Sequence, residues 1–180
     1  MAIKTASGSD LRNSLSSGLV LIETKSFSGV SSQLLNLSGS YENYRVVISH
    51  TGSSVDSNAT LRLSLNGTPE TSVRYNYAVL GLTNGGSANN LASTQSSYIY
   101  ATNESAPSAE FAGFVFDLID VNVARYTKIT SIGTNVNSPG AVTTFTGACI
   151  HDLDVAYNQV QFLPSTGTFS GRASVYGYNK

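Results

Sequence analysis

The stretch TLRLSLN, residues 60–66, shows the alternation that decides the fold class of this chain. Its three leucines stand at alternate positions, so in an extended backbone they point to one side while Arg62 and Ser64 point to the other. One apolar face and one polar face are typical of an antiparallel strand with one side in the core and the other in solvent. We therefore predict that all three leucines are core residues.

Similar segments, rich in Val, Ile, Tyr, Phe and Thr and separated by clusters of Gly, Asn and Ser, recur along the chain. The predicted strands are 19–25, 44–50, 60–66, 74–80, 96–101, 110–119, 126–133, 142–148, 157–163 and 172–178, with a weaker one at 33–37. This spacing leaves no room for the crossover helices of a parallel sheet. The predicted fold class is all-β, an antiparallel two-sheet sandwich with a jelly roll as the favoured topology. Residues 83–93 are predicted to be a loop.

The composition limits the functions that are open to the chain. Only 12% of the 180 residues are charged and the net charge is -1, so no broad basic surface can form for nucleic acid or an anionic membrane. No apolar run approaches the roughly 20 residues of a membrane-spanning helix. Cys149, the single cysteine, excludes an internal disulfide and a multi-thiolate zinc site, and its apolar neighbours predict a buried thiol.

Residues 1–17 are predicted to be an N-terminal arm, and residues 18–180 the sandwich domain. The arm lacks the apolar stretch of a secretory signal peptide. Ser9 could cap a short helix with Leu11 and Leu15 on one face, and two exposed leucines on an arm indicate docking onto another protein. A frayed terminus, or a helical turn that packs back on the sandwich, is the alternative.

The chain contains few side chains of the kind that catalyse reactions. His151, Asp152 and Asp154 could ligate a divalent cation, but a polar turn between two strands is the favoured interpretation. Asp117 and Asp120 could divide acid and base roles in glycoside hydrolysis, but alternation places Asp117 on the solvent side of its strand. We therefore predict a protein that is not an enzyme and that needs no metal ion and no cofactor.

Tyrosine is the residue type that points towards binding. Six of the ten tyrosines form i, i+2 pairs, namely Tyr75 with Tyr77, Tyr98 with Tyr100, and Tyr176 with Tyr178. The rings of a pair share one face of a strand, where they either pack in the core or offer a surface on which a sugar or a protein can stack. Both alternatives are open for each pair, and the second pair is the candidate glycan-binding surface.

Several stretches of the sequence carry a family resemblance. YENYRVVIS at residues 41–49 fits a Y-x-N-Y-[KR]-[IV]-V pattern. The other stretches are GLVLIETKSFSGVSS, LRLSLNG, YNYA, FAGFVFDLID followed by YTKITSIG, and the terminal FLPSTGTFSGRASVYGYNK. Over residues 18–180 the chain resembles a family of small β-sandwich domains found on the virion surfaces of tailed bacteriophages, including phages of cyanobacteria and other marine bacteria.

The resemblance implies a virion structural protein, either a capsid cement or decoration protein or a tail-fibre or tail-tip domain. Because only the short arm precedes the sandwich, we expect a subunit that binds and stabilises the outer surface of the head. A tail module that binds a host receptor or glycan is the alternative. Leu11 and Leu15 are the predicted docking contacts, and Tyr41 and Tyr44, as loop or edge residues, are predicted secondary contacts.

The resemblance and the composition also predict partners and location. The expected partners are the phage major capsid protein or other virion proteins, with a host-surface glycan under the alternative, and neither nucleic acid nor a membrane. Sheet edges are often covered by pairing with a neighbouring chain, so we expect a homo-oligomer, dimer or trimer. The chain is expected to fold in the host bacterial cytoplasm and to be exposed on the released particle.

Overall fold

The computed structural model describes residues 18–55, 57–100, 112–136 and 141–179, and every helix or strand in these ranges is a β-strand. In chain order the strands are β1 (Leu19–Val30), β2 (Gln33–Asn36), β3 (Tyr44–Ser53), β4 (Ala59–Leu65), β5 (Thr68–Pro69), β6 (Tyr75–Thr83), β7 (Ala88–Ser96), β8 (Ile99–Tyr100), β9 (Ala112–Ile119), β10 (Thr127–Val136), β11 (Val142–His151), β12 (Gln159–Pro164) and β13 (Phe169–Tyr178). The described residues contain no helix that is long and apolar enough to cross a bilayer.

The strands form two antiparallel sheets, which confirms the predicted all-β class and two-sheet sandwich. The larger sheet has eight strands in the order β1-β13-β3-β9-β10-β11-β6-β7. The smaller sheet has the order β2-β12-β4-β5, and β8 also pairs with β4. The favoured jelly-roll topology is not confirmed, because a jelly roll has eight strands in two sheets, whereas the larger sheet alone has eight strands here.

The core lies between the two sheets, where alternate side chains of the central strands meet. Burial alternates along β3 and β9, so every second side chain points into this layer. Phe114 of the larger sheet faces Phe162 of the smaller one, with ring centroids 6.0 Å apart. Phe162 contacts Phe169, and Phe169 contacts Phe27, with centroids 5.0 and 4.9 Å apart. This run of rings joins strands β9, β12, β13 and β1 across the core.

Two details of the sequence prediction are wrong. Residues 83–93 are not a loop, because most of them form the hairpin of β6 and β7, and an edge strand with one neighbour needs little apolar surface. At the end of β4, Leu65 is exposed and Ser64 is fully buried, the reverse of the alternation. Leu65 is the last residue of the strand, beside a tight turn in which Asn66 and Gly67 both have positive φ, as a type I′ hairpin requires.

One edge of the eight-stranded sheet, strand β7, contains a bulge. The pairing of β7 with β6 shifts register between Tyr75 and Tyr77. Within the bulge Gln95 has a φ of 62°, and its backbone N–H donates a hydrogen bond of 3.1 Å to the Asn76 side chain instead of extending the ladder. The edge is therefore irregular over the last residues of β7.

The opposite edge, strand β1, is tied to the smaller sheet by side chains. Asn36 of β2 donates hydrogen bonds from its backbone and its side chain to the Glu23 carboxylate, at 2.8 and 2.9 Å. The Lys25 ammonium donates to the carbonyl of Leu34 at 3.1 Å and pairs with Glu23 at 3.0 Å. Strands β1 and β2 are therefore bridged at this corner of the sandwich.

Candidate interaction surfaces

Three of the stretches that carry the family resemblance meet where β3 begins and where β9 and β13 end. The ring of Tyr41 covers Gly177 so closely that a methyl group at position 177 would overlap it. The Tyr41 N–H donates to the Tyr44 hydroxyl at 3.2 Å, and the two rings meet edge to face. The side-chain oxygen of Asn43 accepts the N–H of Asp120 at 2.9 Å. These residues hold the three strand ends together.

The same region contains a network around Asp117, on the side of the eight-stranded sheet that faces away from the core. Arg45 donates two hydrogen bonds of 2.7 Å to the Asp117 carboxylate, and the Tyr178 hydroxyl donates a third of 2.5 Å. The hydrogen bond from Arg45 is the main cause that lowers the pKa of Asp117. Asp117 is therefore ionised at neutral pH and positions the side chains of two neighbouring strands.

Asp120 has cations of its own. Arg125 and Lys128 each donate a hydrogen bond of 2.6 Å to one of its carboxylate oxygens. The hydrogen bond from Lys128 is the first cause of its lowered pKa. A carboxyl group that donates a proton in glycoside hydrolysis needs a raised pKa. Because both Asp117 and Asp120 have lowered pKa values, their environments do not favour that role.

His151 is not part of a polar turn, as the sequence suggested, because it is the last residue of β11 and is fully buried. Its ring lies between those of Tyr75 and Tyr157, at centroid distances of 4.5 and 5.3 Å. Neither ring nitrogen has a hydrogen-bond partner among the described residues. Burial lowers the pKa of His151, so the ring is neutral near pH 7.

The neighbours of His151 complete this part of the core. The Tyr157 hydroxyl donates to the Glu70 carboxylate at 3.4 Å, and Asp152 lies 4.0 Å from Arg74. In the described residues, no group of three His, Cys, Asp or Glu side chains is arranged to hold a metal ion. Cys149 is buried, as predicted, and burial raises the pKa of its thiol to about 12.

The tyrosines proposed as contacts differ in exposure. Tyr44 is fully buried and stands in β3, an interior strand between β13 and β9, so the prediction that it is a loop or edge contact is wrong. Tyr41 lies in a loop, as expected, but is half-buried because its ring packs on the strand ends. Of the i, i+2 pairs, Tyr75 and Tyr77 belong to the core.

Tyr98 and Tyr100 are both half-buried and lie together beside the smaller sheet. Their hydroxyls are 3.2 Å apart, and their rings meet edge to face with centroids 5.1 Å apart. The guanidinium of Arg62 lies over the Tyr98 ring at 5.6 Å and donates to the carbonyl of Ser97 at 3.0 Å. We call Arg62, Tyr98 and Tyr100 the tyrosine cluster; it presents ring surface and a cation at one place.

Leu11 and Leu15 lie outside the described residues. The first described strand begins directly after the predicted arm, and its first three side chains are exposed and apolar: Leu19, Val20 and Leu21 are 42%, 37% and 57% exposed. Leu19 and Leu21 point to one side of the strand and Val20 to the other, and together these three residues are the β1 apolar patch. Exposed apolar residues scattered singly are ordinary, but three in succession on an edge strand mark a candidate contact surface.

A second apolar surface covers the side of the eight-stranded sheet that points away from the core, here called the outer face. Strand pairing aligns one residue from each of five adjacent strands in a row across it. This ridge consists of Val47, Val115, Ile132, Thr146 and Leu80. Ile132 and Leu80 are each 57% exposed, so large aliphatic side chains stand on a surface that no other part of the described chain covers.

Beside the ridge, two residues away on strands β6, β11 and β10 and on the neighbouring β7, the side chains are smaller; the same row continues on β9 and β3 as Asp117 and Arg45. Strand pairing aligns four of these smaller residues across β7, β6, β11 and β10, namely Ala92, Ala78, Ala148 and Thr130. Together these four residues form the groove. Two adjoining depressions of about 430 and 380 Å³ share Ala78 and Ala148 in their lining. Beyond the groove stand Ile150 and Lys128, which pair with each other across β11 and β10.

The sequence prediction missed this outer face. The signal was present in strands with apolar residues at both odd and even positions, such as Val46 and Val47 in β3 or Ile129 and Ile132 in β10. Such strands present apolar side chains on both sides of the sheet. Val46 and Ile129 are fully buried, whereas Val47 and Ile132 are exposed on the outer face.

No protein-family model matches this chain, and no curated protein matches its sequence at a significant level.

Proposed function

We propose that this chain is a bacteriophage virion structural protein that acts by binding and not by catalysis, and that it attaches to the outer surface of the head as a cement or decoration protein. The observation that carries the proposal is the β1 apolar patch. Its residues Leu19–Leu21 begin four positions after Leu15 of the predicted arm, so apolar side chains of the arm and of the sandwich lie close together in the sequence.

A lattice-binding subunit requires a rigid body and a segment that contacts the lattice. The two-sheet sandwich, joined by aromatic contacts through its core, supplies the rigid body. Several of the family-like stretches pack against one another through Tyr41, Gly177 and the Arg45–Asp117 pair, which is a structural use of those residues. The low charge favours contacts that are apolar and hydrogen-bonded, and such contacts depend little on salt.

The test is incorporation into phage heads in a complementation experiment. We expect the wild-type chain on every head, loss of incorporation on deletion of residues 1–17, and reduced incorporation of a Leu19→Ser, Leu21→Ser variant. Val55→Ser is the matched control, because Val55 is also exposed, at 45%, and stands beside Gly167 before the start of β13, whereas Leu19–Leu21 pair with the end of β13. Circular dichroism checks that each variant is folded. Normal incorporation of the deletion variant would contradict the docking role of the arm.

The copy number per particle separates the head from the tail. A capsid cement protein follows the symmetry of the head lattice and is present in hundreds of copies, whereas a tail protein is present in about a dozen. Quantitative mass spectrometry of purified virions measures this number. A copy number near a dozen would contradict the head assignment and favour the tail alternative.

The alternative proposal, a tail-fibre or tail-tip module that binds a host receptor or glycan, has support from the tyrosine cluster. Aromatic rings beside a cation are suited to stacking on a sugar. Under this alternative, binding on a glycan array is lost with Tyr98→Ala and retained with Tyr126→Ala, because Tyr126 is 50% exposed and lies elsewhere. Absence of binding to any glycan by the wild-type chain would exclude the glycan version.

A further inference from the structure

We propose that the outer face of the eight-stranded sheet binds a second copy of this chain, in a two-fold dimer in which the ridge of each copy sits in the groove of the other. The proposal rests on the shape, charge and size of this face. It does not depend on the virion role.

The shape of the outer face is complementary to itself. The ridge and the groove are parallel rows that cross the same strands and lie about 7 Å apart, the distance between residues i and i+2 of a strand. The proposed two-fold axis is parallel to the two rows and to the sheet, and it passes midway between the rows. Rotation about this axis places each ridge over the groove of the other copy. In this arrangement Leu80 contacts Ala78 of the second copy, and Thr146 contacts Ala148.

On strands β6, β11 and β10 this pairing sets a larger ridge side chain over a smaller groove side chain. On β9 and β3 it sets the two valines of the ridge over Asp117 and Arg45, which pair with each other in their own chain. On β6 the ridge has Leu80 and the groove has Ala78; on β10 the ridge has Ile132 and the groove has Thr130. Sheets that pack face to face lie about 10 Å apart, with their inner side chains interdigitated. A ridge of exposed aliphatic side chains beside a row of alanines meets that requirement.

The charges of the outer face permit such contact. Strands β10, β11, β6 and β7 contain a single Lys, Arg, Asp or Glu, which is Lys128. Lys128 pairs with Asp120 of its own chain at 2.6 Å, and on the neighbouring strands Arg45 pairs with Asp117 at 2.7 Å. Lys128, Arg45 and Asp117 therefore each have an ion-pair partner in their own chain, and depletion of charged residues is typical of the centre of protein interfaces.

The size of the outer face fits a stable dimer. Six strands, from β3 to β7 in sheet order, span about 29 Å at 4.8 Å per strand, and ten residues of β10 span about 33 Å. The projected area is about 960 Å², which exceeds the roughly 800 Å² per partner that a standard interface buries. A glycan would cover only part of this area, and a second copy covers it fully.

The test is the mass of the purified chain in solution, measured by sedimentation equilibrium. We expect a dimer at micromolar concentration that persists in high salt. Ile132→Lys, which places a charge at the centre of the ridge, should raise the dissociation constant about 30-fold or more, as the loss of an interface hot spot does. Ala148→Leu, which fills the groove, should also weaken the dimer. Val73→Lys is the control, because Val73 has the same 57% exposure as Ile132 and lies outside the sheet.

Circular dichroism and thermal melting establish that each variant is folded before its mass is interpreted. A wild-type chain that stays monomeric at about 100 µM, above the dissociation constants of specific dimers, would overturn the proposal. An oligomer that Ile132→Lys and Val73→Lys affect equally would also overturn it, because the contact would then lie on another surface. Failure of the head-binding experiment with an intact dimer would count against the virion role alone.

Discussion

The buried histidine between two tyrosines makes the stability of the fold sensitive to mild acid. His151 is fully buried, and burial holds its pKa below the ordinary value of 6.5. The charged groups near the ring are Glu70, Asp152 and Arg74. In the unfolded chain the imidazole is in water and has its ordinary pKa. The unfolded chain therefore binds the proton more readily, and stability falls as the pH drops below 6.5.

The size of the effect follows from proton linkage. At about pH 5.5 the unfolded chain gains about 1.4 kcal/mol for each histidine that the folded chain keeps neutral. His50 is also buried with a lowered pKa, so the wild-type chain should lose up to about 2.8 kcal/mol between about pH 7.5 and 5.5. The carboxylates contribute little in this range, because Asp in the unfolded chain titrates near 3.8.

The assay is guanidinium unfolding of the wild type and of His151→Phe at the two pH values. Phenylalanine keeps an aromatic ring between Tyr75 and Tyr157 and cannot be protonated, so the variant should lose only about half as much stability on acidification. Val73→Ala, at an exposed site, should behave as the wild type. If His151→Phe and the wild type lose the same free energy, His151 is not a neutral group in the fold and the reasoning is refuted.

Three further variants or probes test local features of the sandwich. Asp117→Asn should lower the melting temperature by about 4 to 8 °C, because it leaves Arg45 without its carboxylate at a cost of about 2 kcal/mol; an unchanged melting curve would contradict this. Gly177→Ala should destabilise the fold by about 1 to 3 kcal/mol through overlap with Tyr41, and adding Tyr41→Ala should recover part of the loss in chemical denaturation. Cys149 should react with a maleimide only after unfolding, since burial raises its thiol pKa to about 12; rapid labelling of the folded chain would show otherwise.

The fold class could be predicted because a strand with one buried side has apolar residues at alternate positions of its sequence. β3, β9 and β10 lie at or close to the predicted positions for this reason. Strand β7 could not be predicted, because an edge strand that packs on one neighbour needs no apolar alternation, and its sequence ANNLASTQS reads as a loop. The last residue of β4 is exposed because a tight turn begins directly after it. The alternation of apolar and polar residues does not indicate where that turn begins.

The candidate surfaces were harder to predict than the fold. Alternation identifies Tyr44 as a strand residue, but only the order of strands in the sheet places β3 in the interior and its tyrosine in the core. The ridge depends on the registers of five strands, and no local pattern specifies which residues of distant segments become neighbours. His151 was misjudged because the two rings that enclose it come from β6 and from the loop before β12.

The irregular β7 edge and the bridged β1 edge have a consequence for solubility during production of the chain. An open, regular strand is a template on which further chains can add without limit, which leads to aggregates or fibres. The bulge around Gln95 interrupts that template at the β7 edge. At the β1 edge, the side chains of Glu23 and Lys25 are held by their hydrogen bonds to β2. Growth by strand addition is therefore disfavoured at both edges of the eight-stranded sheet.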